Sequence, residues 1–449
     1  MSKPMISVAG IRGIVGDSLQ PESFLRFILA FGTMANGGKI VIGTDSRLTR
    51  DMMRHLAFAG LASTGCSIID IGLAPTPTIA MAVRDLRAAG GIAITASHNP
   101  PQWNAYKFFD GNGAFLNREE NAKLVALAES GGFYRANYRG VGKLLKASGL
   151  IETHIQKVLQ NIDAESIRIR NFKVVADCCN GVGGLIIEPL LKQLNATAIM
   201  IGTNVNEEFS RVAEPLPEYL GKLSQTVLDE KADIGFALDP DADRLAIVDD
   251  KGRPIGEERT VTLCSDSVLA NGDRGALVVN LSTTRAMDDV AAKYGVDLIR
   301  TPIGEANVML EMRRHIGLIG GEGNGGVIYP RIHPGRDAAT GVGLILAALA
   351  KRNITISELN ATIPDYAMFK TKFPIGEINI EALYEKMTTA FSDAQEIVTT
   401  DGMKIVYPNK WVHMRPSGTE PVVRIFAEAP KLAEAEQLAR KVATDVIGK

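Results

Sequence analysis

The sequence predicts an α/β protein made of three similar α/β domains with mixed sheets and a smaller α+β C-terminal domain. The chain has 449 residues, which exceeds the ~250–300 residues at which a single hydrophobic core stops growing. Short apolar segments, each followed by a turn and a helical pattern, recur along the chain. This recurrence is typical of βαβ units with buried strands.

Each of the first three domains contains three of these apolar segments, which we expect to form strands. They lie at 39–47, 66–73 and 90–100 in the first domain (1–149), at 172–181, 196–203 and 232–244 in the second (150–249), and at 275–284, 296–304 and 315–326 in the third (250–362).

The last part of the chain, 363–449, has a different pattern. It predicts the order strand–helix–strand–strand–helix, and it ends in an amphipathic helix over 432–448 whose apolar spacing suits packing on a small sheet. The polar loops of the whole chain come just after predicted strands. Ligands of open α/β sheets bind at the carboxyl ends of strands, so these loops are candidates for function.

Composition excludes several classes of protein. Hydrophobic residues make up 46% and charged residues 22%, as in ordinary soluble proteins. The formal net charge of −2 provides no field for nucleic acid or an anionic membrane, and no apolar run approaches the ~18 residues of a membrane span. The N-terminus lacks the apolar core of a signal peptide, and four cysteines without C-x-x-C spacing suit a reducing compartment. We therefore expect a cytoplasmic protein without nucleic-acid or membrane partners.

A serine lies in a turn after the strand that ends near Thr95. Ser97 is followed by His98, and Pro100 and Pro101 would stiffen the turn and hold the Ser97 hydroxyl outward. A rigid turn of this kind presents a nucleophile, although an ordinary serine turn has the same pattern. Neighbours in sequence rarely reach the geometry of a Ser-His-acid hydrolase.

Three alternating carboxylates, Asp239, Asp241 and Asp243, follow another predicted strand. Charges this close repel each other unless they share a cation, and a set of hard oxygen ligands suits Mg²⁺ or Ca²⁺. An EF-hand is excluded because Arg244 stands where its sharp turn requires glycine and because the flanking segments are strands. The alternative is a solvated acidic turn.

Two further loops carry polar residues suited to a ligand. Glu322 and Asn324 lie among glycines, in either a tight turn or a ligand-facing loop. The other loop combines guanidinium groups, hydroxyls and N–H donors, which are the components of a phosphate cradle; its residues are Arg415, Ser417, Gly418, Thr419 and Arg424. It lacks the G-K-[ST] ending of a P-loop.

Taken together, these loops resemble the motifs of the α-D-phosphohexomutase superfamily. TASHNP (95–100), DPDADR (239–244), GEGNG (321–325) and RPSGTEPVVR (415–424) occur in the family's order and extend over essentially the whole chain. The resemblance implies four domains around a central cleft. It also implies a sugar phosphate substrate and interconversion of hexose 6-phosphate and hexose 1-phosphate through a bisphosphate intermediate, by a monomer or a homodimer.

The resemblance also implies residue roles. Ser97 would be the phosphoserine, and together with Asp239, Asp241 and Asp243 it would hold Mg²⁺. Near it, the catalytic residues would be Arg12, His98, Lys107 (a general acid or base) and Arg244. Glu322 and Asn324 would bind sugar hydroxyls. The non-reacting phosphate would be bound by Arg415, Ser417, Gly418, Thr419 and Arg424.

The chain departs from the family pattern at two places. Gly326 stands where many members have a histidine in the sugar loop, and Ala105 replaces the glycine that usually follows Asn104. The segment TPIGEANV (301–308) resembles the G-[DE] form of phosphoglucosamine mutases, which favours glucosamine phosphate.

Other activities remain as alternatives. One is a phosphoglucomutase/phosphomannomutase, and another is a sugar-bisphosphate synthase or phosphatase on the same scaffold. A binding protein without catalytic activity is disfavoured, because binding alone does not need a nucleophile that faces a metal site.

Overall fold

The computed structural model describes residues 4–7, 10–374, 379–417 and 422–448, which belong to two units. Unit 1 consists of Met1–Thr260 and Gly325–Ser357, and unit 2 of Val261–Asn324 and Glu358–Lys449. Each unit has its own sheets and is described by itself.

A mixed sheet opens unit 1. Its strands occur in the order β1-β2-β6-β5-β3-β4-β7, with β3, β4, β5 and β7 parallel to one another and β1, β2 and β6 in antiparallel pairs. The elements are β1 Met5–Ser7, β2 Gly10–Ile14, α1 Pro21–Met34, β3 Lys39–Thr44, α2 Arg50–Ser63, β4 Ser67–Leu73, α3 Thr76–Asp85, β5 Gly90–Ile94, β6 Trp103–Phe109, α4 Arg118–Ser130 and β7 Leu144–Lys146. The central strands are buried on both faces, which explains their continuous apolar runs.

A four-stranded sheet follows in unit 1, in the order β11-β10-β8-β9. Strands β8, β9 and β10 are parallel, and β11 is antiparallel to β10. The elements are α5 Leu150–Gln160, α6 Ala164–Arg170, β8 Lys173–Asp177, α7 Gly184–Gln193, β9 Thr197–Ile201, a 3₁₀ turn at Pro217–Tyr219, α8 Gly221–Glu230, β10 Ile234–Leu238 and β11 Leu245–Val248. The turn between β10 and β11 holds the three aspartates.

The third part of the chain contributes to both units. Unit 2 contains the parallel strands β12, β13 and β14, and unit 1 contains the antiparallel pair β15 and β16 together with α12. The elements are α9 Glu258–Ala270, β12 Leu277–Asn280, α10 Ala286–Tyr294, β13 Leu298–Thr301, α11 Glu305–Arg314, β14 Ile319–Glu322, β15 Gly326–Tyr329, β16 His333–Arg336, α12 Ala338–Arg352 and α13 Ile356–Ala361.

An antiparallel sheet in the order β17-β21-β20-β19-β18 completes unit 2. Its elements are β17 Ala367–Pro374, α14 Ile380–Ala390, β18 Glu396–Val398, β19 Met403–Val406, β20 Trp411–Pro416, β21 Val422–Ala429, α15 Leu432–Lys441 and a π-helical turn at Val442–Ile447. The predicted strand order was wrong here, because four strands and not two follow α14. The missed strands, β18 and β19, have three and four residues, too few to show a period-2 pattern.

The fold class is confirmed. All nine apolar segments of the first three domains contain a strand, and the last part of the chain is a smaller α+β module. Within the described residues, no helix is both long enough and apolar enough to cross a membrane.

Candidate active site

The turn after β5 holds Ser97 in an unusual backbone conformation. Its φ of 48° lies in the left-handed region that non-glycine residues rarely adopt. The Thr95 hydroxyl accepts a hydrogen bond from the Ser97 N–H at 2.9 Å and donates one to Asp45 Oδ2 at 2.6 Å. These bonds compensate for the strain and fix the direction of the serine side chain.

Arg47 holds the rest of the serine turn. Its side chain is fully buried beside Asp45, with 3.1 Å between Nε and Oδ2. The two terminal nitrogens of Arg47 donate to four backbone carbonyls of the turn: Ser97 and Asn99 at 2.7 Å each, Pro100 at 2.7 Å and Trp103 at 2.9 Å. The stiffness expected from the two prolines therefore depends also on a buried guanidinium.

The Ser97 hydroxyl does not point outward as expected. Ser97 is only 6% exposed, and its Oγ donates to Asp239 Oδ2 at 2.8 Å. His98 Nδ1 lies 3.5 Å from Oγ, too far for a strong hydrogen bond. Burial, followed by the charges of Arg244, Arg336 and Arg12, lowers the pKa of His98 well below its usual value, so its ring is neutral.

The three aspartates form a buried cluster. Oxygens from Asp239, Asp241 and Asp243 lie within 4.8 Å of one another, and the residues are 0–1% exposed, unlike a solvated acidic turn. Asp239 Oδ1 accepts hydrogen bonds from the N–H groups of Asp243 at 3.1 Å and Arg244 at 3.0 Å. The backbone of the turn thus folds around the first carboxylate and brings the other two beside it.

Cations and a hydroxyl from other parts of unit 1 surround this cluster. Lys107 Nζ donates to Asp241 Oδ2 at 2.7 Å and lies 3.6 Å from Asp243 Oδ2. Thr76, at the start of α3, donates to the same Asp241 oxygen at 2.8 Å. Arg336, at the end of β16, donates to Asp243 Oδ2 at 2.7 Å. Two of the three carboxylates therefore have a buried cationic partner.

The surroundings separate the pKa values of these groups. Burial, followed by the charges of Asp241 and Asp243, raises the pKa of Asp239 well above its usual value. Burial alone would raise the pKa of Asp241 too, but Lys107 and the hydrogen bonds from Lys107 and Thr76 hold it below its usual value. Burial disfavours the charge of Lys107, but the two aspartates raise its pKa. Lys107 therefore keeps its proton at neutral pH.

The carboxylate cluster suits a divalent cation. Oδ1 of Asp241 and Oδ1 of Asp243 are buried and have no hydrogen-bond partner among the described residues. A buried carboxylate oxygen without a partner is costly unless a cation binds it. All the atoms that could ligate a metal here are hard carboxylate oxygens, so these three residues fit a cation of the Mg²⁺ or Ca²⁺ type.

The two predicted arginines of unit 1 each lie beside one of these turns. Arg12, on β2, donates from Nη1 to Asn99 Oδ1 of the serine turn at 3.1 Å. Arg244 donates from Nη1 to Glu214 Oε1 at 3.0 Å, and its Nε lies 3.9 Å from Asp243 Oδ1. One guanidinium thus lies at the serine turn and the other at the aspartate turn.

In unit 2, Glu322 is the last residue of β14 and not a loop residue. Its Oε1 accepts hydrogen bonds from Asn280 Nδ2 and from the Gly304 N–H, both at 3.0 Å. Asn324 donates from Nδ2 to Glu322 Oε2 at 3.4 Å. The structure thus brings the two predicted sugar-binding residues together.

The predicted phosphate-binding arginines also lie in strands and not in the loop. Arg415 on β20 is the register partner of Arg424 on β21, and Arg415 Nε donates to Asp401 Oδ1 at 3.3 Å. The N–H of Ser417 donates to the Val422 carbonyl at 2.8 Å, which closes the strand pair. The predicted residues Gly418 and Thr419 lie outside the described residues.

Several residues that contact the site had no role predicted from the sequence: Thr76, Arg47, Arg336 and Asp401. The first two belong to PTP (75–77) and GTDSR (43–47), where a buried strand ends in polar residues, so a signal was present. Arg336 is 93 residues from Asp243, and no local pattern links the two.

Four family models match the chain in sequence order. They are the phosphoglucomutase/phosphomannomutase α/β/α domain I (5–135), domain II (152–252), domain III (257–366) and the C-terminal domain (376–445). The fold is thus that of an α-D-phosphohexomutase. Within this class, the chain belongs to the phosphoglucomutase/phosphomannomutase family, whose members are isomerases that transfer phosphate within a sugar phosphate.

Individual relatives are similar to this chain over almost its whole length. A "Phosphoglucomutase/phosphomannomutase" of Thermococcus kodakarensis is 38% identical, covering 95% of both chains. A "Probable phosphoglucosamine mutase" of Pyrococcus abyssi is 35% identical, covering 98% of both. The crystal structure of a phosphoglucomutase/phosphomannomutase family protein from Burkholderia thailandensis has a TM-score of 0.85 at 25% identity, with 98% of both chains covered.

Proposed function

We propose that this phosphohexomutase interconverts glucosamine 6-phosphate and glucosamine 1-phosphate, with Ser97 as the phosphate carrier. The observation that supports the carrier role most strongly is the buried Ser97 hydroxyl, which donates to a carboxylate of the aspartate cluster. A serine turn without this role needs neither the strained backbone nor the carboxylate partner.

The phosphoryl group would move in two transfers. In the first, the bond between Ser97 Oγ and phosphorus breaks as a bond from the free sugar hydroxyl to phosphorus forms. The sugar hydroxyl loses its proton, and Ser97 Oγ takes one up. The product is a sugar bisphosphate, which turns over in the site. In the second transfer the other phosphate returns to Ser97 Oγ, which loses its proton, and the sugar oxygen that the phosphate leaves takes one up.

Residues around Ser97 suit this chemistry. Phosphoryl transfer depends mainly on positioning and on neutralising charge at the phosphoryl oxygens, and Arg12 and Arg244 would supply positive charge there. Lys107, which keeps its proton, would donate it to the sugar oxygen that loses its phosphate in the second transfer, and would regain a proton from the Ser97 hydroxyl that accepts the phosphoryl group. The His98 ring would stay neutral and would neither donate nor accept a proton in these steps.

Asp239, Asp241 and Asp243 would hold the cation, for which we propose Mg²⁺. Their two hydrogen-bond-free oxygens support this assignment, and Mg²⁺ is the hard cation that commonly accompanies phosphate chemistry. When bound, the ion would neutralise negative charge on the transferring phosphoryl group.

The remaining predicted residues would hold the substrate. Glu322 and Asn324 would bind sugar hydroxyls, since the bonds from Asn280 and Gly304 orient the Glu322 carboxylate and carboxylates and amides both hydrogen-bond to hydroxyl groups. Arg415 and Arg424, with Ser417, would bind the phosphate that does not react. Holding this phosphate lets either end of the sugar meet Ser97.

Glucosamine is the proposed sugar because the segment 301–308 has the G-[DE] form, with Glu305 at the first turn of α11, and because the Pyrococcus relative carries the name of a glucosamine enzyme. A second candidate is glucose or mannose phosphate, which the name of the Thermococcus relative favours.

We further propose the domain limits 1–149, 150–249, 250–362 and 363–449 and a cytoplasmic location. The four buried cysteines, none in a disulfide, support that location.

A substrate panel tests the proposal. The 6-phosphates of glucosamine, N-acetylglucosamine, glucose and mannose would each be incubated with the full chain, Mg²⁺ and a trace of the matching bisphosphate, and phosphorus NMR would follow the 1-phosphates. We expect the highest kcat/KM for glucosamine 6-phosphate. A higher value for glucose or mannose would favour the second candidate, and bisphosphate or inorganic phosphate accumulating in place of 1-phosphate would favour a synthase or phosphatase.

A further inference from the structure

One turn of unit 2 binds two carboxylates through neighbouring backbone N–H groups. The Gly304 N–H donates to Glu322 Oε1 at 3.0 Å, and the Ile303 N–H donates to Asp401 Oδ2 at 2.8 Å. The turn joins the end of β13 to the start of α11, where N–H groups without partners in the helix favour negative charge. The proposed sugar-binding glutamate and a carboxylate of the C-terminal module are therefore attached to the same short segment.

The second carboxylate oxygen of Asp401 contacts a residue of the proposed phosphate site. Asp401 Oδ1 accepts a hydrogen bond from Arg415 Nε at 3.3 Å. The next residue, Gly402, has φ of 75°, and a Cβ there would lie 2.4 Å from the Met414 carbonyl oxygen and 2.6 Å from Arg415 Cβ. Only glycine lets the chain pass this close to β20. The backbone at 401–402 is thus shaped to bring Asp401 against Arg415.

A buried histidine fixes Asp401 from its backbone side. His413 Nε2 lies 2.6 Å from the Asp401 carbonyl, to which it donates, and His413 Nδ1 lies 2.9 Å from Ser282 Oγ, from which it accepts. The position of Asp401 is therefore set by β20, by its glycine neighbour and by the 303–304 turn.

We propose that Asp401 is a positioning residue that orients Arg415 and couples phosphate binding by Arg415 to sugar binding by Glu322. The inference rests on the proposed function, which gives Arg415 to the phosphate and Glu322 to the sugar. A bond to Nε fixes the plane of the guanidinium and leaves its terminal nitrogens to form a paired contact with phosphate. Through Ile303 and Gly304, a shift of Arg415 is transmitted to Glu322.

The coupling distinguishes this role from that of an ordinary ion pair. The side chains of Asp401 and Arg415 are 18% and 20% exposed, and an ion pair that keeps contact with water contributes less to folding stability than its loss would cost in a fully buried site. Loss of the pair should therefore change substrate binding more than it changes the melting temperature.

A double-mutant cycle on the full chain tests the proposal. Asp401→Asn places an amide between two N–H donors, so one of the two bonds is lost. We expect it to raise KM for glucosamine 6-phosphate about tenfold and to change kcat less than about twofold. Glu322→Gln and the double variant complete the cycle. If the two residues acted independently, the factors by which the single variants lower kcat/KM would multiply in the double variant. We expect the loss in the double variant to be at least about fivefold smaller than that product, as is found for residues in one hydrogen-bond network.

Asp393→Asn is the matched control. Asp393 belongs to the same module and accepts a hydrogen bond from the Tyr407 hydroxyl at 2.7 Å, but within the described part of the chain no hydrogen bond joins it to the 303–304 turn. Its KM should stay within about twofold of wild type. An unchanged KM in Asp401→Asn, or single losses that multiply in the double variant, would overturn the coupling.

The same cycle is measured as the Kd for glucosamine 6-phosphate by titration calorimetry, which does not depend on turnover. If the wild type binds but does not isomerise the sugar phosphate, the proposed function fails, and the coupling is decided by the Kd values alone. A wild-type chain that does not bind the compound would overturn both.

Discussion

The aspartate turn of unit 1 and the arginine-bearing strands of unit 2 handle charge in opposite ways. Asp239, Asp241 and Asp243 are almost completely buried among fixed cationic partners, whereas Arg415 and Asp401 form one partly exposed pair. Buried charge is costly unless its partners are in place, so the first arrangement is rigid before any ligand binds. A partly exposed pair can exchange a partner for a ligand at a lower cost than a fully buried one.

This difference matches the two tasks that a phosphohexomutase must separate. The transfer of phosphate needs one fixed geometry, since small displacements of reacting atoms are costly in rate. The substrate must bind in two orientations, so the residues that hold it must tolerate both. We therefore expect variants in the first region to reduce kcat and variants in the second region to raise KM.

The largest effect is expected from Ser97→Ala, which removes the carrier oxygen. Turnover should fall by at least about 10⁴-fold, as is found when a covalent nucleophile is removed. The isomerase assay would be run on protein free of any host mutase. A melting temperature close to that of wild type is the control for folding, and near-normal turnover in this variant would contradict the carrier role.

Asp241→Asn should weaken the binding of Mg²⁺ by about 100-fold, because one of three carboxylates is neutralised. Calorimetric titration with Mg²⁺ measures this without any substrate. The melting temperature without Mg²⁺ should fall, because Asp241 is the hydrogen-bonded partner of the buried Lys107 and its lowered pKa means that the folded chain favours its charge. Asp163→Asn, at the N-terminus of α6, is the matched control and should bind Mg²⁺ as wild type does; equal affinity in Asp241→Asn would argue against the metal site.

Arg47→Lys should reduce kcat by about tenfold to 100-fold, because an ammonium group cannot reach the four carbonyls that hold the serine turn. KM should change little, since the substituted residue is not expected to touch the sugar. Arg50→Lys is the control, because Arg50 also donates to carbonyls, at Ser46 and Val205, but not to the serine turn. A raised KM with normal kcat in Arg47→Lys would show that the turn does not need this support.

The smallest effect concerns stability in mild acid. Burial lowers the pKa of His413 from 6.5 to about 4, so the unfolded chain takes up this proton before the folded chain does. The contribution of His413 is complete above about pH 6.5 and is lost toward pH 4, by about 3 kcal/mol in total.

The free energy of unfolding would be measured by urea unfolding between pH 6.5 and pH 4, followed by the fluorescence of Trp411 in a Trp103→Phe background. His413→Asn should reduce the slope of this free energy against pH. His315→Asn, a change at a half-exposed histidine, should leave the slope as it is. Equal slopes in His413→Asn and the unmodified background would show that His413 does not cause the loss.

The two regions also differ in how far the sequence predicts them. The aspartate cluster was predictable because its three carboxylates alternate within one turn, so local spacing brings them together. Arg336 was not, because tertiary packing alone brings it to Asp243. The turn that contains Thr76 was recognisable, but the local sequence does not show that Asp241 is its partner. In unit 2, strands β18 and β19 were too short to recognise, and the role of Asp401 depends on a turn almost a hundred residues earlier.

The direction of the Ser97 side chain shows the same limit. The prolines after Ser97 correctly predicted a stiff turn, but they carry no information about what the hydroxyl faces. That direction follows from the left-handed backbone at Ser97 and from the Thr95–Asp45 pair. Asp45 follows β3, whereas Ser97 follows β5. The sequence around Ser97 therefore predicted a hydroxyl that faces solvent and not a carboxylate.

The most direct test of the account is to find where the phosphate resides during turnover. The full chain would be incubated with Mg²⁺ and glucosamine 1,6-bisphosphate labelled in both phosphates, then digested and mapped by mass spectrometry. We predict one labelled phosphate per chain, on the peptide that contains Ser97, which unlabelled glucosamine 6-phosphate removes at least as fast as kcat. Turnover with no label on Ser97, or with label that the substrate does not remove, would contradict the account.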